Sequence, residues 1–206
     1  YLSGNVDIID LYDKFNSVKN DIQLYYKTDH HWTEDGAYTA YSIWAKKNDI
    51  NIRNKDDYII EKTENFYGTT YTKSALWHEK PDTLEVWSYP INVTVTVENV
   101  LYNDMFFREH LKNEDKYPVF LDSNHGYERI ENHDNPNGKK ILVIKDSFAH
   151  SFVPFMAENC SMIDMVDLRY YLTPVSLLTE QNDYDEILIL CGISTLCESN
   201  DLSILQ

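Results

Sequence analysis

An α/β fold on a parallel sheet with flanking helices is what this sequence predicts, from three short apolar runs and the segments between them, with a β-rich middle zone marked by one alternating stretch. Ile141-Leu142-Val143-Ile144, Met162-Ile163-Asp164-Met165-Val166 and Ile187-Leu188-Ile189-Leu190 are nearly unbroken apolar runs, as expected of parallel strands covered on both faces. The segments around 152–158 and 175–181 have the length and spacing of crossover helices, which makes this zone an α/β sheet. Ile91-Asn92-Val93-Thr94-Val95-Thr96-Val97 alternates with a period of two and reads as a half-buried strand. It lies in a β-rich zone, roughly 55–140, expected to form a second sheet or an elaborated insertion.

The amino-terminal zone, 1–50, reads as mostly helical after an extended start. Val6, Ile8, Ile9, Leu11, Tyr12 and Phe15 supply a helix-spaced apolar set. Thr33 is a candidate N-cap for a second helix carrying Ala37, Tyr38, Tyr41, Ile43, Trp44 and Ala45. Glu34 and Asp35 fall in its first turn, where the helix dipole favours acids. The chain has 206 residues, 43% hydrophobic and 14% aromatic, enough for one substantial core, and no repeat or low-complexity stretch divides it. A single domain over 1–206 is expected.

Charge narrows the partners. Eighteen Lys and Arg against 34 Asp and Glu leave a formal charge of −16, spread along the chain, which repels phosphate backbones and anionic lipid. Nucleic acid is therefore not an expected partner. No apolar run reaches the ~18 residues of a spanning helix, and Tyr1 starts in mid-sequence, so the chain reads as an excised or processed piece with an upstream leader or anchor left open. Cys160, Cys191 and Cys197 have no Cys-x-x-Cys spacing and read as buried small hydrophobes rather than a disulfide framework or a zinc site.

Two segments carry candidate chemistry. In Lys145-Asp146-Ser147-Phe148-Ala149, Ser147 follows the strand 141–144 and precedes a helical pattern. A strand-to-helix turn at the carboxyl end of a parallel sheet is where such folds place reactive groups, and the Ser147 N–H there is a candidate oxyanion donor. A simple helix-capping role fits the same position. The second segment is Tyr25-Tyr26-Lys27-Thr28-Asp29-His30-His31-Trp32-Thr33. A serine nucleophile needs a histidine base held by a carboxylate, and His31 and Asp29 supply both. In an extended segment residues two apart share a face, so Asp29 and His31 are expected to project together while His30 points away. A structural polar loop and a metal site using His30 and His31 are the alternatives, the latter without further ligands at helpful spacing. Asp29-His30-His31 also matches the signature of metal-dependent phosphoesterases on three letters, with Asp122 and Asp164 as the best further aspartates.

These segments resemble the bacterial family named for its Asp-His-His-Trp motif. The resemblance runs through Tyr25 to Tyr41, Phe66-Tyr67-Gly68-Thr69 with Lys73-Ser74, Tyr117 to Asn124, Ile141 to Phe155, and Ile163 to Tyr171. The family looks like a relative of alginate O-acetyltransferases and of the permuted branch of SGNH hydrolases. Such a relationship implies an SGNH-like parallel sheet with circularly permuted motif order, His31 preceding Ser147 by 116 residues. By the same resemblance Ser147 is the nucleophile, His31 the base and acid, and Asp29 its orienter. His30, Trp32 and Asp146 become neighbours of the site, with no metal and no cofactor required.

What the resemblance implies for function is serine-dependent O-acetyl transfer or ester hydrolysis on a cell-surface polysaccharide. It further implies an extracytoplasmic location and a membrane acyltransferase partner supplying the acetyl group. The chain departs from ordinary SGNH enzymes in its oxyanion donors. Asp167-Leu168-Arg169-Tyr170 and Cys191-Gly192-Ile193-Ser194 follow the second and third strands, without the Asn found in SGNH enzymes. Arg169, Asn124 and Gly192 are the substitute candidates for the oxyanion or substrate. That gap supports the alternative of a degenerate module that binds a glycan or an assembly partner without turnover.

Overall fold

The computed structural model describes residues 6–74 and 77–198, with the side chains of Cys197 and Glu198 outside the described set. Eight strands form two sheets among these residues. Strands β1 (Ile59–Phe66) and β2 (Asp82–Ser88) make an antiparallel pair. The central sheet takes β3 (Val93–Val97), β4 (Val100–Tyr102), β5 (Tyr127–Asn132), β6 (Lys139–Lys145), β7 (Cys160–Val166) and β8 (Glu186–Leu190) in the order β4-β3-β5-β7-β6-β8. The three expected apolar runs are β6, β7 and β8, and β6 pairs parallel with both of the others. Ile141 and Val143 of β6 enter the larger core while Leu142 and Ile144 enter the smaller one on the opposite face. That two-sided burial is why the run carries no polar alternation.

The β-rich middle zone divides between the sheets. The pair β1–β2 is a second sheet, but β3 and β5 are built into the central sheet, β5 lying antiparallel to β7. Residues 93–132 are therefore part of the main scaffold. Glu98 and Asn99, with φ of 48° and 68°, turn β3 into β4, the geometry a two-residue hairpin requires.

Helix α1 is Tyr12–Val18 and helix α2 is Glu34–Lys47. The Thr33 side chain accepts from Gly36 N at 3.2 Å, capping α2 as expected, and Tyr41 and Trp44 bury its inner face. The apolar set before Phe15 does not build a helix face. Asp10 Oδ1 accepts the Tyr12 N–H and starts the helix there, leaving Val6, Ile8 and Tyr12 exposed. Helix α3 is Thr69–Ser74, α4 is Ala149–Ala157, α5 is Ser176–Gln181 and α6 is Ile193–Glu198. Helix α4 joins β6 to β7 and α5 takes the chain from β7 to β8, on the other side of β6. The strand order thus reverses about β6, and such a reversal opens a crevice at the strands' carboxyl ends. No described helix is long and apolar enough to cross a membrane. Cys160 is buried and Cys191 partly so, both as free thiols, and burial pushes each thiol up to about 12.

Candidate active site

Ser147 stands in the turn between β6 and α4, at that reversal. Its Oγ donates to His31 Nε2 at 2.7 Å. His31 Nδ1 donates to Asp29 Oδ1 at 2.5 Å. An ionised carboxylate only accepts, so Asp29 assigns the imidazole proton to Nδ1 and leaves Nε2 as an acceptor for the serine hydroxyl. Burial by itself would raise the Asp29 carboxyl, but His31 and the N–H groups of His31 and Thr69 outweigh it and hold the group well below the usual range. The relay is therefore a fixed anion, an oriented imidazole and a hydroxyl in line.

The segment bearing Asp29 and His31 is a tight bend, not the extended segment from which their shared face was expected. Tyr25 and Trp32 pair antiparallel across it, and Tyr26 N donates to His31 O at 3.1 Å. Asp29 Oδ1 accepts its neighbour's backbone, His31 N, at 3.0 Å. This side-chain turn brings residues 29 and 31 together. It also keeps His30 nearby. The His30 ring lies 3.8 Å from that of His31, centroid to centroid, and its Nδ1 meets Thr69 Oγ1 at 2.8 Å. His30 does not point away from the site.

Two residues that sequence reasoning did not single out hold this bend. Asp82, at the start of β2, accepts from Lys27 N, Thr28 N and Thr28 Oγ1 through Oδ2, and from Gln23 Nε2 through Oδ1. Gly68 lies so close to Asp29 that a Cβ there would fall 2.2 Å from the carboxylate Oδ2. That approach lets Thr69 N donate to Asp29 Oδ2 at 2.7 Å. Only glycine permits the contact, and the Phe66-Tyr67-Gly68-Thr69 match was its sole signal in the sequence.

Tyr117 completes the base. Its ring stacks on His31 at 3.7 Å and 5°, and its hydroxyl donates to Ser147 O at 3.2 Å. Burial pushes this phenol well above its ordinary range, so it stays a donor. Phe148 packs its ring at 60° to His31 from 5.2 Å. Trp32 Nε1 donates to Ser151 Oγ at 2.8 Å, tying the bend to α4.

Asp146 is buried and acts on the backbone. Its Oδ1 accepts Phe148 N, and its Oδ2 accepts Gly192 N at 2.7 Å and Thr195 Oγ1 at 2.8 Å. The Gly192 N–H is consumed there, so Gly192 is not a free oxyanion donor. Arg169 is held by Asp167 through Nε at 2.8 Å and Nη2 at 2.6 Å, and its Nη2 also donates to Asn124 Oδ1 at 3.2 Å. Ile144 of β6 pairs with Val166 of β7. Ser147 and Arg169 each lie three residues beyond that pair, in the turns that leave the two neighbouring strands. Asn124 reaches Arg169 after Leu121, Asp122 and Ser123, three consecutive residues with φ of 54°, 55° and 80°. A left-handed run of non-glycine residues costs about 1–2 kcal/mol per residue, a local strain of the kind found at functional sites.

Asp29, His30 and His31 are the one described group of three whose ligand atoms lie close enough to share a metal ion. Both Asp29 oxygens and both His31 nitrogens are already committed within the relay, so these donors fit the serine relay better than a cation. The further aspartates of the phosphoesterase reading do not join them. Asp164 is buried with Arg129, Tyr127 and Tyr184, and Asp122 pairs with His110 at 2.6 Å. Beneath the Ser147 turn lies an ion pair that the sequence reading did not foresee. Lys145 Nζ donates to His150 Nε2 at 2.6 Å and lies 3.1 Å from Glu128 Oε2, with both ends of that ion pair fully buried. Burial, followed by the neighbouring Lys145, holds the His150 imidazole well below its ordinary range.

A family model described as DHHW protein matches residues 1–166, a span that includes Asp29, His31 and Ser147. Among solved structures the chain is similar to a DHHW family protein from Eubacterium siraeum, with a TM-score of 0.83 and 24% identity over 97% of this chain and 69% of that one. It is also similar to Bacillus cereus PatB1, solved with a sulfonyl adduct, with a TM-score of 0.75 and 22% identity over 95% of this chain and 70% of that one. These likenesses extend to the central sheet and its flanking helices, and at such identities they speak to fold. No curated protein matches the chain.

Proposed function

The chain belongs to the DHHW protein family, and on that premise we propose that it is a serine-dependent acyl-transfer enzyme acting on a cell-surface polysaccharide outside the cytoplasm. The observation that carries this reading is the unbroken relay from Asp29 through His31 to the Ser147 hydroxyl. As Ser147 Oγ attacks an acyl carbonyl, His31 Nε2 takes its proton, and Asp29 steadies the imidazolium that forms. The proton passes to the leaving group as the donor's acyl bond breaks, leaving acetyl-Ser147. A saccharide hydroxyl, or water, then gives its proton to His31 and takes the acetyl group as the Ser147 ester bond breaks, and His31 returns that proton to Ser147 Oγ. Among the described residues the Ser147 N–H has no acceptor, which suits it to the developing oxyanion, with Arg169 as the neighbouring cation. A membrane acyltransferase partner supplying acetyl groups belongs to the same proposal.

The fold neighbour PatB1 was captured with a sulfonyl adduct, which makes a sulfonyl fluoride the natural probe here. Incubation followed by intact-protein mass spectrometry is expected to give a single adduct that maps to Ser147 and disappears in Ser147→Ala. A folded protein that takes up no adduct refutes the enzyme reading. The commitment of the Gly192 N–H to Asp146 favours one second reading, a module that binds glycan without turnover. It predicts saccharide binding that survives Ser147→Ala in a protein that never acylates.

A further inference from the structure

Tyr67, Tyr71 and Trp77 form a contiguous aromatic surface that the acyl-transfer chemistry leaves unused. Tyr67 and Tyr71 lie 4.4 Å apart, centroid to centroid, and Tyr71 meets Trp77 edge to face at 5.8 Å. Trp77 is 71% exposed. Single exposed aromatics are ordinary, but a chain of three rings running from half-buried Tyr67 and Tyr71 out to exposed Trp77 is not explained by packing.

Their position ties them to the relay. Tyr67 and Tyr71 flank Gly68 and Thr69, which pack against the Asp29 carboxylate from the side opposite His31's contact with Oδ1, Thr69 N donating to Oδ2. Tyr71 N donates to Thr28 O at 2.9 Å, in the residue before Asp29. Thr69 Oγ1 meets His30 Nδ1 at 2.8 Å. The aromatic surface is thus anchored by backbone bonds to the bend that carries the base.

We propose that Tyr67, Tyr71 and Trp77 form an acceptor subsite that stacks an uncharged pyranose ring of gluco configuration. This rests on the acyl-transfer reading and gives it a substrate class. Such a ring carries axial C–H groups on both faces and hydroxyls around its edge, so it needs flat aromatic faces beside polar groups. Helix α3 supplies that surround, since apart from Tyr71 it is Thr69, Thr70, Thr72, Lys73 and Ser74. An apolar peptide or a lipid surface would call for aliphatic side chains there instead. The formal charge of −16 works against both an anionic membrane and a polyuronate chain.

Isothermal titration calorimetry with cellohexaose and with chitohexaose tests the subsite on the intact chain. The protein is expected to bind at least one of them, and Trp77→Ala to weaken that binding about tenfold or more, the loss typical of an aromatic anchor. Trp77→Phe should restore most of it, because a ring face remains. Trp77 is exposed, and an unchanged thermal melt will show that the variant stays folded. Failure to bind either hexasaccharide, equal affinity in Trp77→Ala, or tighter binding of an oligogalacturonate would each overturn the proposal. Sulfonyl labelling of Ser147 in the same preparation reports separately on the acyl-transfer reading. Saccharide binding lost in Trp77→Ala supports the subsite whether or not Ser147 reacts.

Discussion

Replacing Gly68 with alanine strikes the relay where backbone and carboxylate lie closest. The added Cβ would sit 2.2 Å from Asp29 Cβ and Oδ2, and 2.5 Å from its Cγ. Asp29 is only 5% exposed and has no room to step back while keeping His31 Nδ1 at 2.5 Å and Thr69 N at 2.7 Å. The carboxylate must leave that line, and the imidazole loses the partner that sets its tautomer. Neutralising the orienting carboxylate of a serine triad costs about 10⁴-fold in kcat. A displaced carboxylate keeps part of its field, so Gly68→Ala is expected to lose about 10²- to 10⁴-fold, or about 3–5 kcal/mol of barrier. The assay is the burst of p-nitrophenol on acylation by p-nitrophenyl acetate, read for the parent, Gly68→Ala, Asp29→Asn and the double variant, with thermal melts alongside. Because Gly68 acts through Asp29, the double variant should be slower than Asp29→Asn by no more than about threefold. A folded Gly68→Ala with the parental rate, or losses that multiply in the double variant, would refute this coupling.

Tyr117 and His150 give two further tests. Tyr117→Phe keeps the stack on His31 and removes the hydroxyl bond to Ser147 O, which predicts a loss of up to about tenfold in acylation rate. Tyr117→Leu also removes the π face from the imidazolium formed during attack and should be slower than Tyr117→Phe by about 2- to 30-fold. Equal rates for the two variants would deny the stack a role. His150 is held neutral in the fold, well below its ordinary 6.5. Below that pH the unfolded chain binds a proton that the native state refuses. Stability is then fully present above about 6.5 and declines as pH falls, by up to about 1.4 kcal/mol per pH unit. Urea titrations at several pH values should show a shallower decline in His150→Gln, and parallel curves would mean that His150 is protonated in the native protein.

How far the fold could be read in advance depended on how local each signal was. The runs 141–144 and 162–166 gave β6 and β7 because burial on both faces removes polar residues, and composition alone then marks a strand. The run 187–190 gave β8 although that strand closes the sheet edge with Ile187 and Ile189 exposed, so it is not covered on both faces as expected. Strand β5 escaped because it carries Glu128, Arg129 and Glu131, which look like surface. Glu128 is in fact fully buried against Lys145, and Arg129 is bound to Asp164 on β7. Charges that find partners across a sheet cannot be told from solvated ones by sequence. The same nonlocality hid the membership of β3 and β5 in the central sheet. At the amino end the error ran the other way, since the helix-spaced apolar residues at 6–11 stay out of α1, with Ile9 and Leu11 packed against the core and Val6 and Ile8 exposed.

The candidate site divides along a similar line, between groups whose chemistry is in the side chain and groups whose role is a position. Ser147, His31 and Asp29 were legible because few pairings of residue types give a hydroxyl a base and the base an anion. Gly68, Asp82 and Tyr117 were not, because a close approach, a clamp on two N–H groups and a stacked ring depend on residues tens of positions away. The oxyanion donors show why this matters. Gly192 stands after the third strand, as sequence order suggested, yet Asp146 takes its N–H to brace the nucleophile turn against α6. On the proposed acyl-transfer reading, the donor this removes would come from the end of β7, the strand beside β6. Arg169 is there, gripped through two nitrogens by the fully buried Asp167. A guanidinium fixed in this way pays little reorganisation as charge develops beside it, which is the condition for electrostatic stabilisation of an acyl-transfer intermediate. Its rigidity comes from Asp167, so the carboxylate that reads as a salt-bridge partner is also what would make Arg169 a usable donor.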